Sequence, residues 1–185
     1  MRALQPPIAE APAFTREDGL RAQQKILDLA RHRVKGGPMT LSEAEINAFV
    51  SRHLDPDQLP IRQPVIRLRD GDVVEIAGTI ALDKLLRESP LAPLAERFPT
   101  EWLAHPVWLT VVARAETTTE PRRTLRLVPR RLRIGDQRVP AIALRLVLDP
   151  PSLRLMRIAL PSQIQTVRIE RGRVVIQTTS SPSRT

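Results

Sequence analysis

The chain has 185 residues, of which 42% are hydrophobic and only 3% aromatic, so it is long enough for one domain with a mainly aliphatic core. The absence of cysteine excludes disulfides, thiolate metal sites and cysteine nucleophiles, and the three widely separated histidines give no metal-binding spacing. The net charge of +9 predicts attraction to polyanions such as nucleic-acid phosphates or anionic lipid headgroups.

The first predicted elements are a linker and a helix. A Pro/Ala-rich start predicts a flexible linker over residues 1–14. Thr15 with Asp18 forms a capping-box pattern, and apolar residues then recur at helical spacing, which predicts an amphipathic helix over residues 15–34. The sequence has no apolar run of the length, about eighteen residues, that a membrane-spanning helix needs. A linker at this position is compatible with a membrane anchor ahead of Met1.

A second helix is predicted over residues 42–53. It begins with one of two overlapping capping boxes, Thr40 with Glu43 or Ser42 with Glu45. Apolar residues at helical spacing then line one side of it, so we expect this helix to present an apolar stripe.

Past the second helix the hydrophobic period changes from that of a helix to that of a strand. Ile66 and Leu68 alternate with arginines before Asp70-Gly71, which predicts a β-hairpin whose return strand runs over residues 74–82. Apolar residues interrupted by prolines over 85–98 predict two short helical pieces that cap the sheet or cover its edge.

Two long strands follow. Alternating residues from Val107 predict a strand that ends in a polar turn over residues 116–121. A third strand returns over residues 122–134, and its alternation slips at Pro129, as a bulge or an edge position requires. A bulged long strand predicts a bent sheet.

The last third of the chain is predicted to contain a mixture of helix, strand and disordered segments. Residues 139–148 start with a proline-led apolar segment that favours a short helix over a strand, and residues 152–159 fit either period. A closing hairpin is predicted over residues 167–176 around Arg171-Gly172. The Ser/Thr/Pro-rich tail over residues 178–185 is predicted to be disordered.

The sequence offers no group in a catalytic context. The serines lack a Gly-x-Ser-x-Gly setting, no Gly-Lys-Ser/Thr phosphate loop occurs, and no pair of carboxylates is predicted to share a cleft. Glu43 and Glu45 are interpreted as cap residues that oppose the helix dipole, and Asn47 as an exposed surface residue. We therefore expect no enzymatic activity, no cofactor and no metal site.

The segment 122–138 is rich in arginine. It is a candidate anion-binding face, although it has no interleaved aromatic residue for stacking on nucleic-acid bases. A solvated strand face is the alternative interpretation, because runs of charge often only solvate a surface. The candidate anion-binding residues are Arg126, Arg130, Arg131, Arg133 and Arg138.

Three segments together resemble bacterial envelope proteins of the YpmS-like and LmeA-like kind. They are LSEAEINAF at 41–49, LRIGDQRVP at 132–140 and LPSQIQTVRIERGRVVI at 160–176, so the resemblance spans roughly residues 40 to 177. None of the matching residues is known as catalytic in such families. The individual residues that match the families' motifs are Glu45, Asn47, Gly135, Pro140, Pro161, Ile164 and Gly172.

The resemblance implies an α+β fold in which N-terminal helices pack on a long, curved antiparallel β-sheet, similar to the tubular lipid-binding (TULIP-like) proteins. Such families are usually anchored by one N-terminal transmembrane helix and face the extracytoplasmic side, and some bind phospholipid. We accordingly expect a single domain over residues 15–177 and an extracytoplasmic location. The strong basicity and the lack of an anchor within the chain leave a cytoplasmic location open.

The function expected from these observations is non-enzymatic binding of lipid or another amphiphile in an apolar groove with an arginine-rich rim. Its partners would be phospholipid, an anionic membrane surface or an envelope protein. The alternatives are a protein-interaction or scaffold subunit of an envelope complex and, less favoured, nucleic-acid binding. For any one groove candidate, core packing is the alternative role. The groove candidates are Ile46, Phe49, Val50, Leu85, Leu94, Phe98, Leu144 and Leu148.

Overall fold

A computed structural model describes residues 13–31, 37–53, 61–81, 83, 103, 105–118, 123–135, 137–139 and 157–179. These residues form an α+β fold with two helices and antiparallel strands that curl strongly into a half-barrel. The prediction of helices combined with a curved antiparallel sheet is confirmed at this level. The elements are α1 Arg16–Ala30, β1 Pro38–Ser42, α2 Glu43–His53, β2 Arg62–Arg69, β3 Val73–Ala81, β4 Pro106–Thr118, β5 Thr124–Ile134, β6 Gln137–Val139, β7 Arg157–Ala159, β8 Ile164–Glu170 and β9 Arg173–Thr178.

Helix α1 begins where its capping box predicts. The Thr15 side chain accepts from the Asp18 N–H, and the Asp18 carboxylate accepts from the Thr15 N–H at 2.7 Å. The hydrogen bond from the Thr15 backbone is the main reason why the pKa of Asp18 is lowered from its ordinary value of 3.8. The helix ends at Ala30 with Arg31 as its C-cap, four residues before the predicted end at residue 34, and residues 32–34 lie outside the described residues.

Helix α2 uses the second of its two predicted capping boxes. The Ser42 N–H donates to Glu45 Oε2 at 2.9 Å, and the Glu45 N–H donates to Ser42 Oγ at 3.1 Å. Thr40 instead lies in β1, a strand that the sequence analysis missed. Met39 and Leu41 supply its buried positions, but this alternation is too short to recognise beside a helix start.

The strands form two antiparallel sheets. A three-stranded sheet has the order β1-β9-β8, so the first and last of the described strands pair with each other. A six-stranded sheet contains β2-β3-β4-β5-β6 in sequence order, with β7 also paired to β5. The predicted hairpins around Asp70-Gly71 and Arg171-Gly172 are the β2–β3 and β8–β9 pairs.

The longest strands are β4 and β5, and their pairing contains the predicted bulge. Ala113 lies opposite Pro129 and Val112 lies opposite Arg131, so Arg130 is an extra residue on β5. Strand β4 continues to Thr118, through the start of the predicted polar turn, because its last residues still pair with the beginning of β5.

The remaining differences lie in the last third of the chain. Val139, which directly precedes the proline at the first position of the predicted helix, is the last residue of the short strand β6, which the sequence analysis missed. Thr178, predicted as the start of the disordered tail, pairs with Ile164 as the last residue of β9. The helical pieces predicted over 85–98 and the rest of the 139–148 segment lie outside the described residues.

Two apolar clusters among the described residues belong to the core. The first joins α1 to the three-stranded sheet and includes Ala22, Leu41 and Ile176, and the second joins the two sheets through Leu68 and other residues. Ile46 of α2 packs against both clusters, as does Val174 of β9. The members of the second cluster are Leu68, Val74 and Ile169.

Two side chains of α2 hydrogen-bond to the open edge of β2. Asn47 is 1% exposed; its Nδ2 donates to the Ile66 carbonyl at 2.7 Å, and its Oδ1 accepts from the Ile66 N–H at 2.8 Å. Glu43 Oε2 accepts from the Leu68 N–H at 2.6 Å. The spacing fits because four helical residues rise about 6 Å and two strand residues about 6.6 Å. The expectation that Asn47 lies on the surface is therefore wrong.

The turn between β2 and β3 holds the β8–β9 hairpin through side chain to backbone hydrogen bonds. Asp72 Oδ1 accepts from the Ile169 N–H at 2.9 Å, and Asp70 Oδ1 accepts from the Arg171 N–H at 3.0 Å. Asp72 adopts a φ of 60°, a left-handed conformation that Asp and Asn tolerate better than most residues. These contacts join the three-stranded sheet to the six-stranded sheet.

A buried carboxylate joins α1, β1 and α2. Glu45 is 4% exposed, and Lys25 Nζ donates to both of its oxygens at 2.8 and 2.9 Å and to the Thr40 carbonyl at 2.8 Å. Arg21 Nε lies 3.6 Å from Glu45 Oε1. Each buried acceptor thus has a donor, as a buried charge requires.

The acidic and amide side chains that join these helices, strands and turns are called the polar junction. Its residues are Glu43, Glu45, Asn47, Asp70 and Asp72.

Candidate functional site

The six-stranded sheet has two chemically different faces. Residues directly opposite each other in an antiparallel pair point to the same face, so the register assigns each side chain to one face. Beyond the irregular start of β2, one face collects eight arginines and two glutamates, and we call it the arginine face. It contains Arg67, Arg69, Arg114, Arg126, Arg131, Arg133, Arg138 and Arg157, with Glu75 and Glu116.

The opposite face of the same sheet is apolar and buried. Its best-shielded members, Leu109 and Leu132, are 0% and 1% exposed. On the arginine face six of the eight arginines are exposed, Arg67 and Arg133 are half-buried, and Ala77 and Thr110 between them are buried. The exposed side chains extend their charged ends into solvent. The buried residues of the apolar face are Leu68, Val74, Ile80, Val107, Leu109, Val111, Ala113 and Leu132.

The two glutamates neutralise only part of the arginine face. Glu75 accepts from Arg69 at 3.3 Å, and Glu116 accepts at 3.2 Å from Arg130, the extra residue of the bulge. Within the part of the chain that the structure describes, five exposed arginines of this face make no hydrogen bond or ion pair through their side chains. They are Arg114, Arg126, Arg131, Arg138 and Arg157.

Four of the five predicted anion-binding residues lie together on this face. They are Arg126, Arg131, Arg133 and Arg138. Arg130 lies at the bulge, where it pairs with Glu116.

The sequence analysis missed the arginines that β2, β4 and β7 contribute to the same face. The alternation of arginines with Ile66 and Leu68 in β2 was a signal for one part of it. Which strands lie beside β5 depends on the tertiary structure. The missed residues are Arg67, Arg69, Arg114 and Arg157.

An aromatic side chain lies at one end of the arginine face. Trp108 is half-buried, and it precedes Thr110, the partner of Arg133, by two residues on the same face of β4. Its own cross-strand partner in β3 is Thr79. An indole ring combines an apolar body with one N–H donor, so it suits a boundary between water and an apolar phase.

The described groove candidates lie on α2. Ile46 and Phe49 are partly buried and pack against the core, and the Phe49 ring stacks on His53 with centroids 4.3 Å apart. Val50 is half-buried on the same helix. These three are therefore placed on one helix face. The other candidates lie outside the described residues: Leu85, Leu94, Phe98, Leu144 and Leu148.

An open pocket of about 330 Å³ lies between the start of α1 and the end of α2. It is lined by residues that include Phe14, Gly19, Ala48 and Arg52, and the three groove candidates within the described residues are not among its lining. A Cβ added at Gly19 would lie 3.6 Å from Ala48 Cβ, which is an ordinary van der Waals contact, so the approach of the two helices leaves room for alanine at this position.

The described residues hold no group of three or more His, Asp or Glu side chains placed to bind a metal ion. Among the same residues, neither helix has the length and hydrophobicity needed to cross a membrane.

Comparisons of this chain with protein-family models, with curated proteins and with solved structures found no match.

Proposed function

We propose that this chain is a non-enzymatic, envelope-associated domain that binds anionic lipid or another anionic amphiphile, with the arginine face contacting the headgroup. The observation that carries the proposal is the arginine face itself. Eight arginines against two glutamates share one side of a sheet whose other side is buried. The TULIP-like architecture belongs to the same proposal and is supported by the curled antiparallel sheet.

The electrostatics of the arginine face suit an anionic surface. A basic side chain near an anionic membrane contributes about 1 kcal/mol of binding, and the effect extends over a Debye length of about 8 Å at physiological salt. The five arginines without a partner among the described residues are exposed, so binding an anion breaks no ion pair that the described parts of the chain contain.

Trp108 favours a lipid interface over a nucleic acid as the anionic partner. Binding of single-stranded nucleic acid combines a basic groove with several aromatic side chains on which successive bases stack. The described part of the arginine face has one aromatic residue, Trp108, at its end. A single tryptophan beside arginines is typical of side chains that anchor at the headgroup level of a membrane.

Vesicle flotation with the full chain tests the proposal. We expect binding to phosphatidylcholine vesicles that contain phosphatidylglycerol, weak binding to pure phosphatidylcholine vesicles, and a decrease with rising salt. Native mass spectrometry is expected to find co-purifying lipid. Absence of both co-purifying lipid and anionic-vesicle binding would overturn the proposal. Tight retention of duplex nucleic acid at about 150 mM salt, without vesicle binding, would favour the nucleic-acid alternative.

The fluorescence of Trp108 gives a more local test. The chain has two tryptophans, Trp102 and Trp108, so a W102F variant leaves Trp108 as the sole emitter. We expect its emission to shift to the blue when phosphatidylglycerol vesicles are added, because the indole enters a less polar environment. An unchanged spectrum on vesicles that bind the protein would place the contact surface away from Trp108.

A second candidate function, a scaffold subunit that binds another envelope protein, is favoured by exposed apolar residues on α1. Leu20 and Leu27 are 49% and 37% exposed and lie one heptad apart, so they share one side of the helix. Phe14, 42% exposed, precedes the same helix. A photo-crosslinking residue at position 20 or 27 is expected to give a discrete protein adduct in cells, with exposed position Gln165 as the control. Equal labelling at all three positions would count against this function.

A further inference from the structure

Two pairs of arginines on the arginine face lie directly opposite each other, Arg133 with Arg138 and Arg126 with Arg157. Arg133 is half-buried and has an interaction partner, whereas both members of the second pair are exposed. Strands β5 and β7 pair through three residues, and Arg126 is the cross-strand partner of Arg157. Directly opposite residues have Cβ atoms about 4.5–5.5 Å apart, and like charges in such a pair destabilise the sheet. The Arg126–Arg157 pair therefore concentrates positive charge that a single bound anion would neutralise.

No carboxylate among the described residues forms an ion pair with Arg126 or Arg157. Glu116 lies opposite Arg126 on the other side, in β4, but its Oε1 accepts from Arg130. The neighbouring row on the same face consists of Thr118, Thr124 and Ala159. Arg126 and Arg157 are both exposed, and neither side chain has a hydrogen bond or ion pair within the described parts of the chain.

We infer that Arg126 and Arg157 bind one phosphate group between them, a site that deepens the proposed function and rests on it for its biological ligand. A guanidinium group presents parallel N–H donors that match two oxygens of a phosphate, so two guanidinium groups engage one phosphate from two sides. A phosphate monoester also carries about two negative charges at neutral pH, which compensates both arginines at once. A carboxylate has one charge and two oxygens, and it satisfies one guanidinium only.

Two other arginines of the face that have no partner among the described residues, Arg114 and Arg131, provide the matched control. Arg114 lies opposite Val73 and Val128, and Arg131 lies opposite Val112, so neither has an arginine partner. The R114Q/R131Q variant therefore removes two charges from the same face and leaves the Arg126–Arg157 pair intact. The R126Q/R157Q variant removes the pair and the same amount of charge.

The first experiment titrates inorganic phosphate into the full chain and follows the arginine Nε–Hε resonances by NMR. We expect saturable shifts at Arg126 and Arg157, with similar affinity in R114Q/R131Q. Either single substitution, R126Q or R157Q, is expected to weaken binding about tenfold, because each removes charge-assisted hydrogen bonds. Uniform, unsaturable shifts across all exposed arginines, or equal losses in the two double variants, would overturn the inference.

The second experiment distinguishes a lipid phosphate from free phosphate. Vesicles of phosphatidylcholine with phosphatidic acid present a terminal phosphate, and we compare the two double variants on them. A larger loss of vesicle binding in R126Q/R157Q than in R114Q/R131Q supports a lipid headgroup as the source. Equal losses together with saturable phosphate binding at the pair support free phosphate.

The two experiments also separate failure of the site from failure of the proposed function. If wild-type protein binds anionic vesicles but the pair shows no saturable phosphate binding, the site is wrong and the lipid-binding proposal stands. If the pair binds inorganic phosphate but no anionic vesicle binds wild-type protein, the site stands and the lipid-binding proposal fails.

Discussion

The polar junction and the arginine face both place charged or polar side chains on regular elements, but they differ in burial and in what those side chains bind. Asn47 and Glu45 in the junction are 1% and 4% exposed, and backbone groups or cations occupy their polar atoms. Most arginines of the face extend into solvent, and five of them have no partner among the described residues. Polar side chains thus stabilise the fold in the polar junction, whereas those of the arginine face remain available to bind an anion.

The difference follows from the cost of desolvation. A buried polar atom without a partner costs about 1–3 kcal/mol, so a residue such as Asn47 remains buried only when every hydrogen bond is made. An exposed arginine keeps its hydration, so leaving it unpaired costs little folding free energy. Substitutions in the two regions should therefore separate stability from binding.

The largest effect is expected from N47A. The substitution leaves the N–H and the carbonyl of Ile66 without partners at the edge of β2 that α2 covers, so we expect a loss of about 3 kcal/mol in the free energy of unfolding. Urea denaturation followed by circular dichroism measures it. S51A, at an exposed position of the same helix, is the control and should change stability by less than about 0.5 kcal/mol. A loss below about 1 kcal/mol for N47A would show that these bonds do not hold α2 on β2.

A smaller loss, about 2 kcal/mol, is expected from D72A, because alanine removes the acceptor of the Ile169 N–H and disfavours the φ of 60°. D72N keeps an acceptor oxygen and tolerates this backbone conformation, so it should remain within about 0.5 kcal/mol of wild type. The same urea titration compares them. Equal destabilisation by the two substitutions would mean that the negative charge of Asp72, and not its hydrogen bond, holds the hairpin.

K25M removes the Lys25–Glu45 ion pair, and we expect it to lower the free energy of unfolding by about 1–2 kcal/mol. The effect is moderated because the Lys25 side chain is 37% exposed and Arg21 remains 3.6 Å from Glu45. A double-mutant cycle with E45Q isolates the coupling between the two residues. Strictly additive losses in K25M/E45Q would show that the pair contributes no specific interaction.

The smallest effect on stability is expected from R114Q/R131Q on the arginine face. We expect the free energy of unfolding to change by less than about 0.5 kcal/mol, while binding to phosphatidylglycerol vesicles weakens by about 1 kcal/mol per arginine. Urea denaturation and vesicle flotation on the same preparation measure the two quantities. A destabilisation as large as that of N47A would remove the distinction between the two regions.

Local signals in the sequence identified the parts of the fold that short-range physics determines. The capping box at Thr15, the start of α2 and the bulge near Pro129 each depend on residues within one or two turns or a single strand. The hairpin at Asp70-Gly71 was predicted for the same reason, because the residues of a turn and the alternation of apolar and polar residues along a strand are both local features of the sequence. The predicted anion-binding residues came from one continuous segment, residues 122–138, so the prediction found only the part of the arginine face on β5 and β6.

The tertiary structure alone decided the contacts between segments that lie far apart in the chain. The β1–β9 pairing, the burial of Asn47 against Ile66 and the meeting of Arg126 with Arg157 all depend on which strand edge lies beside which partner. No periodicity within one segment encodes that choice, because a polar residue has the same local pattern whether it faces water or another backbone. The sequence by itself therefore determined a basic chain with an aliphatic core and its local elements. The tertiary structure decided which polar groups form hydrogen bonds within the fold. It also decided which arginines lie together on a face that an anion can reach.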